Sequence, residues 1–440
     1  LWQPEGWVTL PLSKNDHGGS GSSEAVPMYV TEESDMAASD DAQALAGLKV
    51  VELGQLIAGP FASKLLGEFG ADVIKIEPPG TGDPLRKWRV LKDDTSLWWH
   101  VQTRNKRSLA LDLRSAEGQE IVRRLVDEAD IVIENFRPGT LEKWGLGWET
   151  LSERNPGLIM VRISGYGQTG PYRDRPGFGV IGEAMGGLRY LSGHPDQPSV
   201  RVGISIGDSL SALYGIIGAL LALQERHRSG RGQYIDVALY ESVFAMMESL
   251  IPEYDGAEVI REPSGSALPG ITPSNAYPCA SGDGDSDEYV LIAGNGDSIF
   301  KRLMTAIGRQ DLADDPRFAH NDGRSRHAEL IDGAIADWTR RHRRDYVLDV
   351  LESAHVPVGY PYTARDIVSD PHYLAREMIE TIRLGDGESL KVPGVLPKLS
   401  RTPGRIQGGG PALGQHTRDV LDELGIDRET QAKMRERGVI

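Results

Sequence analysis

From Leu48 onward, apolar positions change period from two to about 3.6 and back again. Leu48-Lys-Val-Val-Glu-Leu53 reads as a strand, and a turn over 54–60 follows. Phe61, Leu65, Leu66 and Phe69 then fall on one helical face, and Gly70 stops that helix. Asp72-Val-Ile-Lys-Ile-Glu77 is the next strand, ended by Pro78-Pro-Gly80. The same alternation predicts a strand at 108–111, a helix at 115–128 and a strand at 130–134. Pro138 opens another helix in the favoured first position, and a strand follows at 158–163. Strands alternating with helices imply βαβ units and a parallel sheet, an α/β fold.

The pattern then loosens. A loop at 164–177 leads to a helix near 180–190 and a longer one at about 208–228. The longer helix carries Ser211, Ala212, Gly215, Gly218, Ala219 and Ala222, which favour close packing and predict that it is buried. Residues 255–288 are rich in Gly, Pro and Ser and read as loops and a domain transition. A strand at 289–293 and helices near 297–308, 324–341 and 345–354 follow. An extended segment at 356–360 contains Pro357, which confines any strand there to an edge. Helical patterns near 415–424 and 428–437 end the chain.

Composition narrows the classes of function. The 440 residues suggest two or three domains. A formal net charge of −16 argues against nucleic acid bound over a broad face. An anionic ligand therefore needs a local basic pocket. The single cysteine, Cys279, excludes an internal disulfide and Cys-rich metal sites, and it points to a reducing compartment. The longest uninterrupted apolar candidate, 216–223, is short for a membrane span. The first residues lack a basic region followed by an apolar one. A cytoplasmic location without membrane contact is expected.

Residues 1–45 stand apart. They hold a Gly/Ser stretch at 18–23 and eight acids against one base, Lys14. We read them as a disordered acidic tail. Leu1 is an unusual first residue, and the expected natural start is Met28 or Met36.

Several constellations bear on chemistry. Gly54-Gln-Leu-Ile-Ala-Gly59-Pro60 joins a strand to a helix. It is either a plain βα turn or an anion site at a helix N-terminus. It is neither a Walker A loop nor Gly-x-Gly-x-x-Gly. Arg104-Asn-Lys-Arg107, Arg114, Asn135-Phe-Arg-Pro-Gly139 and Lys143 cluster at strand ends. They suit a phosphorylated ligand or are solvated surface charge. Gly203-Ile-Ser205-Ile-Gly207 matches the nucleophile elbow of serine hydrolases, after a segment at 200–204 that could be a strand. Asp208 stands at the start of the long helix, as an N-cap, a nucleophilic carboxylate or both. Asp283, Asp285 and Asp287 alternate like the start of a calcium loop, but the following Gly and Glu are misplaced. No metal is expected.

Taken together, several phrases resemble the class III CoA-transferase family, which includes formyl-CoA transferase, carnitine CoA-transferase and α-methylacyl-CoA racemase. They are Val51-Glu-Leu-Gly with Ala58-Gly-Pro60, and Gly70-Ala-Asp-Val-Ile-Lys-Ile-Glu-Pro78. Asn105-Lys-Arg-Ser108 and Ala129-Asp-Ile-Val-Ile-Glu-Asn-Phe-Arg-Pro-Gly139 follow. Ser164-Gly-Tyr-Gly-Gln-Thr-Gly-Pro171, Gly230-Arg-Gly-Gln233 and Gly410-Pro-Ala-Leu-Gly-Gln-His-Thr417 complete the set.

The resemblance implies a Rossmann-like large domain, a smaller α+β domain and an interlocked homodimer. It places the first part of the large domain at 46–235, a linker and the small domain at 236–360, and a return to the large domain at 361–440. It implies coenzyme A, as acyl-CoA, among the substrates, contacted by Ile57, Ala58, Leu111, Arg114, Asn135, Phe136, Arg137 and Lys143. An Arg that the family carries after the Lys-Ile-Glu strand is Pro78 here. The nucleophile falls on Asp208, with aspartyl anhydride and aspartyl-CoA thioester intermediates.

The racemase branch carries a His where Phe178 stands, which disfavours proton transfer here. Many transferases carry an acid at Gly179, and Glu183 is the candidate replacement. The stretch 175–208 is most similar to members that move CoA from succinyl-CoA to a C4 or C5 dicarboxylate. Arg201 and Arg175 are then the expected partners of the distal carboxylate. Gly294-Asn-Gly296 or the stretch 265–270 is the expected closing loop.

Overall fold

The computed structural model describes residues 43–281, 288–385 and 387–440. Its main sheet has six strands: β1 (Lys49–Glu52), β2 (Asp72–Glu77), β3 (Lys106–Ala110), β4 (Ile131–Glu134), β5 (Ile159–Ser164) and β6 (Tyr234–Ala238). The order is β3-β2-β1-β4-β5-β6, and every pairing is parallel. This is the doubly wound order, whose direction of winding reverses between β1 and β4. Parallel sheets of this kind are covered on both faces, so their strands are apolar almost throughout. β4 and β5 are buried along their whole length.

Six helices matter for the site: α1 (Ala58–Glu68), α2 (Ala116–Val126), α3 (Thr140–Lys143), α4 (Gly179–Met185), α5 (Ile206–Ser229) and α6 (Leu239–Phe244). α1 and α5 cover the face that carries Val50, Val73, Ile131 and Ile159. α2 covers the other face, together with C-terminal helices Thr417–Glu423 and Arg428–Glu436. The end of the chain is thereby tied to the first half, and the Asp112 N–H donates to the Val439 carbonyl at 2.8 Å.

A second core forms around β7 (Ser274–Cys279), β8 (Glu288–Ala293) and β9 (Val358–Gly359), an antiparallel sheet in the order β9-β8-β7. Tyr277, Val290, Phe300, Leu303, Ile331 and Leu351 fill it. The strand beside Pro357 lies at the edge, where a missing N–H costs no ladder bond.

Several expectations change. Residues 200–204 form no strand. β7 lies inside the stretch expected to be loop; Pro278 and the polar Ser274 and Asn275 hid it, and it too is an edge strand. The helix expected to open at Pro138 begins at Thr140, after Gly139 in the left-handed conformation. The helix near 180–190 breaks at Gly186-Gly187 into α4 and a turn at Leu188–Leu191. The expected boundary between 235 and 236 falls inside β6. Gln43 and Leu45, assigned to the tail, bond to the carbonyls of Glu68 and Phe69. The rest of the tail, and Asp283, Asp285 and Asp287, lie outside the described residues.

The expectation that the long helix is buried holds for one face of α5. Gly215 lets that face lie against β5, where a Cβ would come within 2.9 Å of Val161. Leu213, Ile217, Leu220 and Leu221 on another face are exposed. Counting uninterrupted runs also understated this helix. An 18-residue window averages a hydropathy of 1.7, so by length and composition alone it is apolar enough to cross a membrane. Its contacts are with α1, α4, α6, β5 and β6.

Candidate active site

Open α/β sheets bind ligands beyond the carboxyl ends of their strands, at the point where the winding reverses. Here that point is formed by the loop after β1 and the loop after β4. The Asn135 side chain stitches them together. Its Oδ1 accepts from the Gln55 N–H at 2.8 Å, and its Nδ2 donates to the Gln55 carbonyl at 2.9 Å. Leu56 adopts a positive φ of 64°, and its N–H is held by both oxygens of Asp83 at 3.1 Å. Beneath the loop, the buried Lys75 ammonium donates to the Gly54 carbonyl and pairs with Glu52 and Asp83. Lys75 and Lys106 hold Glu52 below the usual carboxylate range, although its burial acts in the opposite direction.

The residues that the resemblance assigns to CoA gather at this edge in different states. Ile57 and Ala58 begin α1, and their side chains are buried. Leu111 is fully buried in the core, and its N–H donates to the Glu77 carbonyl at 2.8 Å. Both polar atoms of the Asn135 side chain are already spent on Gln55, which makes it a positioning group. Phe136 packs edge-on against Trp144, with ring centroids 5.4 Å apart. Its N–H donates to Glu134, whose pKa burial raises to about 7 despite the Arg162 guanidinium at 2.8 Å. Arg137 donates to the Asp174 carbonyl, Arg114 pairs with Asp112, and Lys143 is exposed on α3.

The cluster Arg104-Asn-Lys-Arg107 does not join this group. It lies at the start of β3, the opposite edge of the sheet. Arg104 is buried against Glu68 and the Pro393 carbonyl, and Lys106 against Glu52 and the Pro60 carbonyl. Arg107 pairs with Asp72 and Glu423. These cations hold the fold together; composition and spacing do not separate such a role from ligand binding.

Asp208 stands at the third position of α5, not at its N-cap, which is Ser205. The helix N-terminus favours negative charge there. Gly179, the first residue of α4, faces it so closely that a Cβ would lie 2.2 Å from Oδ2. The space an acidic side chain would take at this position is thus filled by the Asp208 carboxylate. A Cβ on Gly207 would come within 3.3 Å of the Gly179 carbonyl, so two glycines allow the two helix starts to meet.

That approach turns Glu183 inward. Its side chain is 0% exposed, and among the described residues neither carboxylate oxygen has a hydrogen-bond donor. Arg201 Nη2 lies 3.6 Å from Oε1, and Arg189 Nε lies 3.7 Å from Oε2. Burial and the Glu183 charge push the Asp208 pKa up to about 6, while Arg201 and the Asp208 N–H act in the opposite direction. The group is ionised at neutral pH yet poorly solvated, which suits a carboxylate nucleophile. Of the two expected arginines, Arg201 belongs to this cluster. Arg175 instead stacks on Tyr172, 3.7 Å from the ring centre. Arg189 was missed by the sequence analysis; its only signal was the Gly186-Gly187 break that redirects the chain before it.

Residues 45–417 match the family model described as CoA-transferase family III. The chain belongs to CoA-transferase family III. It is 50% identical over 398 residues to succinyl-CoA–D-citramalate CoA-transferase of Chloroflexus aurantiacus, covering 90% of this chain and 98% of that one. It is 44% identical over 403 residues to the β subunit of succinyl-CoA–L-malate CoA-transferase from the same organism, with coverage of 90% and 98%. The crystal structure of a CaiB/BaiF family protein from Brucella suis matches with a TM-score of 0.77 at 35% identity. That match covers 87% of this chain and 100% of the other.

Two alternatives fit this CoA-transferase poorly. A nucleophile elbow needs a strand leading into a strained turn. No strand precedes Ser205, and its φ of −85° is unstrained. A racemase needs a second proton carrier beside the aspartate. Phe178, in the position of that carrier, has no exchangeable side-chain proton and is 70% exposed.

Proposed function

We propose that the protein transfers CoA from succinyl-CoA to a small C4 or C5 dicarboxylic acid, with Asp208 as the covalent nucleophile. A poorly solvated carboxylate at a helix N-terminus, beyond the carboxyl edge of the sheet, carries this reading. Relatives named for succinyl-CoA, citramalate and malate support the substrate class.

The Asp208 carboxylate attacks the thioester carbonyl, and the C–S bond breaks to leave a mixed anhydride and CoA thiolate. The thiolate attacks the Asp208 carbonyl carbon and releases the donor acid as its carboxylate. An aspartyl-CoA thioester remains. The acceptor carboxylate attacks that thioester, expelling thiolate and forming a second anhydride. Thiolate attacks the acceptor's acyl carbon, giving the new acyl-CoA and restoring Asp208. One thioester replaces another, so the chemistry needs neither ATP nor a metal. The N-terminal end of α5 stabilises the anionic oxygens as they form.

In this proposal acyl-CoA lies along the carboxyl edge of the sheet, over the loop after β1 and the Phe136–Arg137 segment. The second core, around β7 and β8, is the smaller domain, and its glycine-containing loops close the site. The working unit is an interlocked homodimer in the cytoplasm. Intact-protein mass spectrometry after mixing with succinyl-CoA tests the mechanism. A CoA or succinyl adduct on wild type, absent from Asp208→Ala, is expected. Retained turnover in Asp208→Ala would sink the assignment.

A further inference from the structure

Glu183 is a fully buried carboxylate that, among the described residues, accepts no hydrogen bond, an arrangement that costs stability. What it holds is a pair of guanidiniums, one against each oxygen. Among the described residues, neither Arg189 nor Arg201 donates a hydrogen bond, so their planar forks remain available to another carboxylate. Arg201 also lies within electrostatic reach of Asp208.

The charge balance changes during the proposed reaction. Two guanidiniums, Glu183 and ionised Asp208 sum to zero. Once Asp208 is esterified to CoA it is neutral, and the cluster carries one positive charge. That is the moment at which the acceptor must bind. We propose that Arg189 and Arg201, held apart by Glu183, receive the second carboxylate of the acceptor, with Glu183 as a positioning residue. A dicarboxylate sets one carboxylate against this positive charge while its other carboxylate faces the aspartyl thioester. A monocarboxylate offers these guanidiniums no second carboxylate. This inference rests on Asp208 being the nucleophile.

The test uses the full chain, succinyl-CoA as donor, and glutarate against its monocarboxylate analogue pentanoate as acceptor. In a ping-pong scheme, kcat/KM for the acceptor reports only the half-reaction after the donor acid leaves. The expected wild-type preference for glutarate falls on the order of a hundredfold in Arg201→Met. It also falls in Glu183→Gln, and Arg201→Lys recovers part of it. A merely structural role would lower both acceptors in proportion and keep their ratio. An unchanged ratio in Arg201→Met, which alters a half-exposed side chain, overturns the proposal, as does a wild type that prefers neither acid. The Asp208-dependent adduct, measured separately, distinguishes these failures from failure of the underlying mechanism. A missing adduct removes both.

Discussion

The Asp208 carboxylate is held where its charge is costly, and that cost has two measurable consequences. Its pKa is pushed up to about 6 in the folded chain, against 3.8 for a free aspartate side chain. As pH rises from about 4 to 6, the unfolded chain loses this proton before the folded one does. Ionisation therefore opposes folding over that window, and the penalty stays constant above it. Asp208→Asn is expected to gain at most about 3 kcal/mol at pH 8 and nothing below pH 4, as read by urea unfolding. The activity is expected to run the other way, because the anion attacks in the proposed mechanism. The kcat/KM profile is expected to fall on the acid side through about pH 6. Arg201→Met moves that limb to higher pH, since its guanidinium favours the carboxylate. Gly179→Ala is a sharper probe. Its methyl would occupy the place of Asp208 Oδ2, and turnover is expected to drop on the order of a hundredfold. Circular dichroism should show the fold retained.

Among the structural elements, the loop between β1 and α1 is the most constrained part of the site. Asn135 binds both backbone atoms of Gln55, Asp83 holds the strained Leu56, and Lys75 caps Gly54 from below. Three separate segments thus fix one short turn. Asn135→Ala removes two of those bonds and leaves the Gln55 backbone to water. The expected effect is a rise on the order of tenfold in KM for acyl-CoA, with kcat changed less, read by initial rates. Equal loss in both parameters would assign Asn135 to the chemical step. α4 and α5 meet through Gly179 and Gly207, and that contact puts Glu183 beside Asp208.

Across the molecule, the described residues leave an apolar face of α5 without cover. Leu213, Ile217, Leu220 and Leu221 of α5 are exposed in the single chain. A patch of this kind marks an interaction surface, and the proposed homodimer supplies a second copy to cover it. Sedimentation of the wild type should show a dimer at micromolar concentration, and Ile217→Glu should shift it towards monomer. A monomeric wild type would refute the dimer. The same helix, averaged over 18 residues, is apolar enough for a membrane, so its length and composition do not decide what it packs against.

Strand and helix periods were legible because a parallel sheet covered on both faces demands continuous apolar strands. The strand at 72–77 was read to the residue. Asp208 was legible from its motif and from its place before an apolar helix. Roles set by contacts between distant segments were not. Arg104 and Lys106 look like ligand cations in a string of bases, but Glu68 of α1 and Glu52 of β1 claim them once β3 is paired with β2 and the sheet is assembled. Arg175 and Arg189 are alike in the sequence; the fold stacks one on Tyr172 and sets the other against Glu183. Sequence alone determined the α/β order and the family, and it singled out Asp208 as the candidate nucleophile, because these follow from local period and motif. Which charges are spent and which remain available was decided only by tertiary structure, because pairing depends on distance in space and on burial.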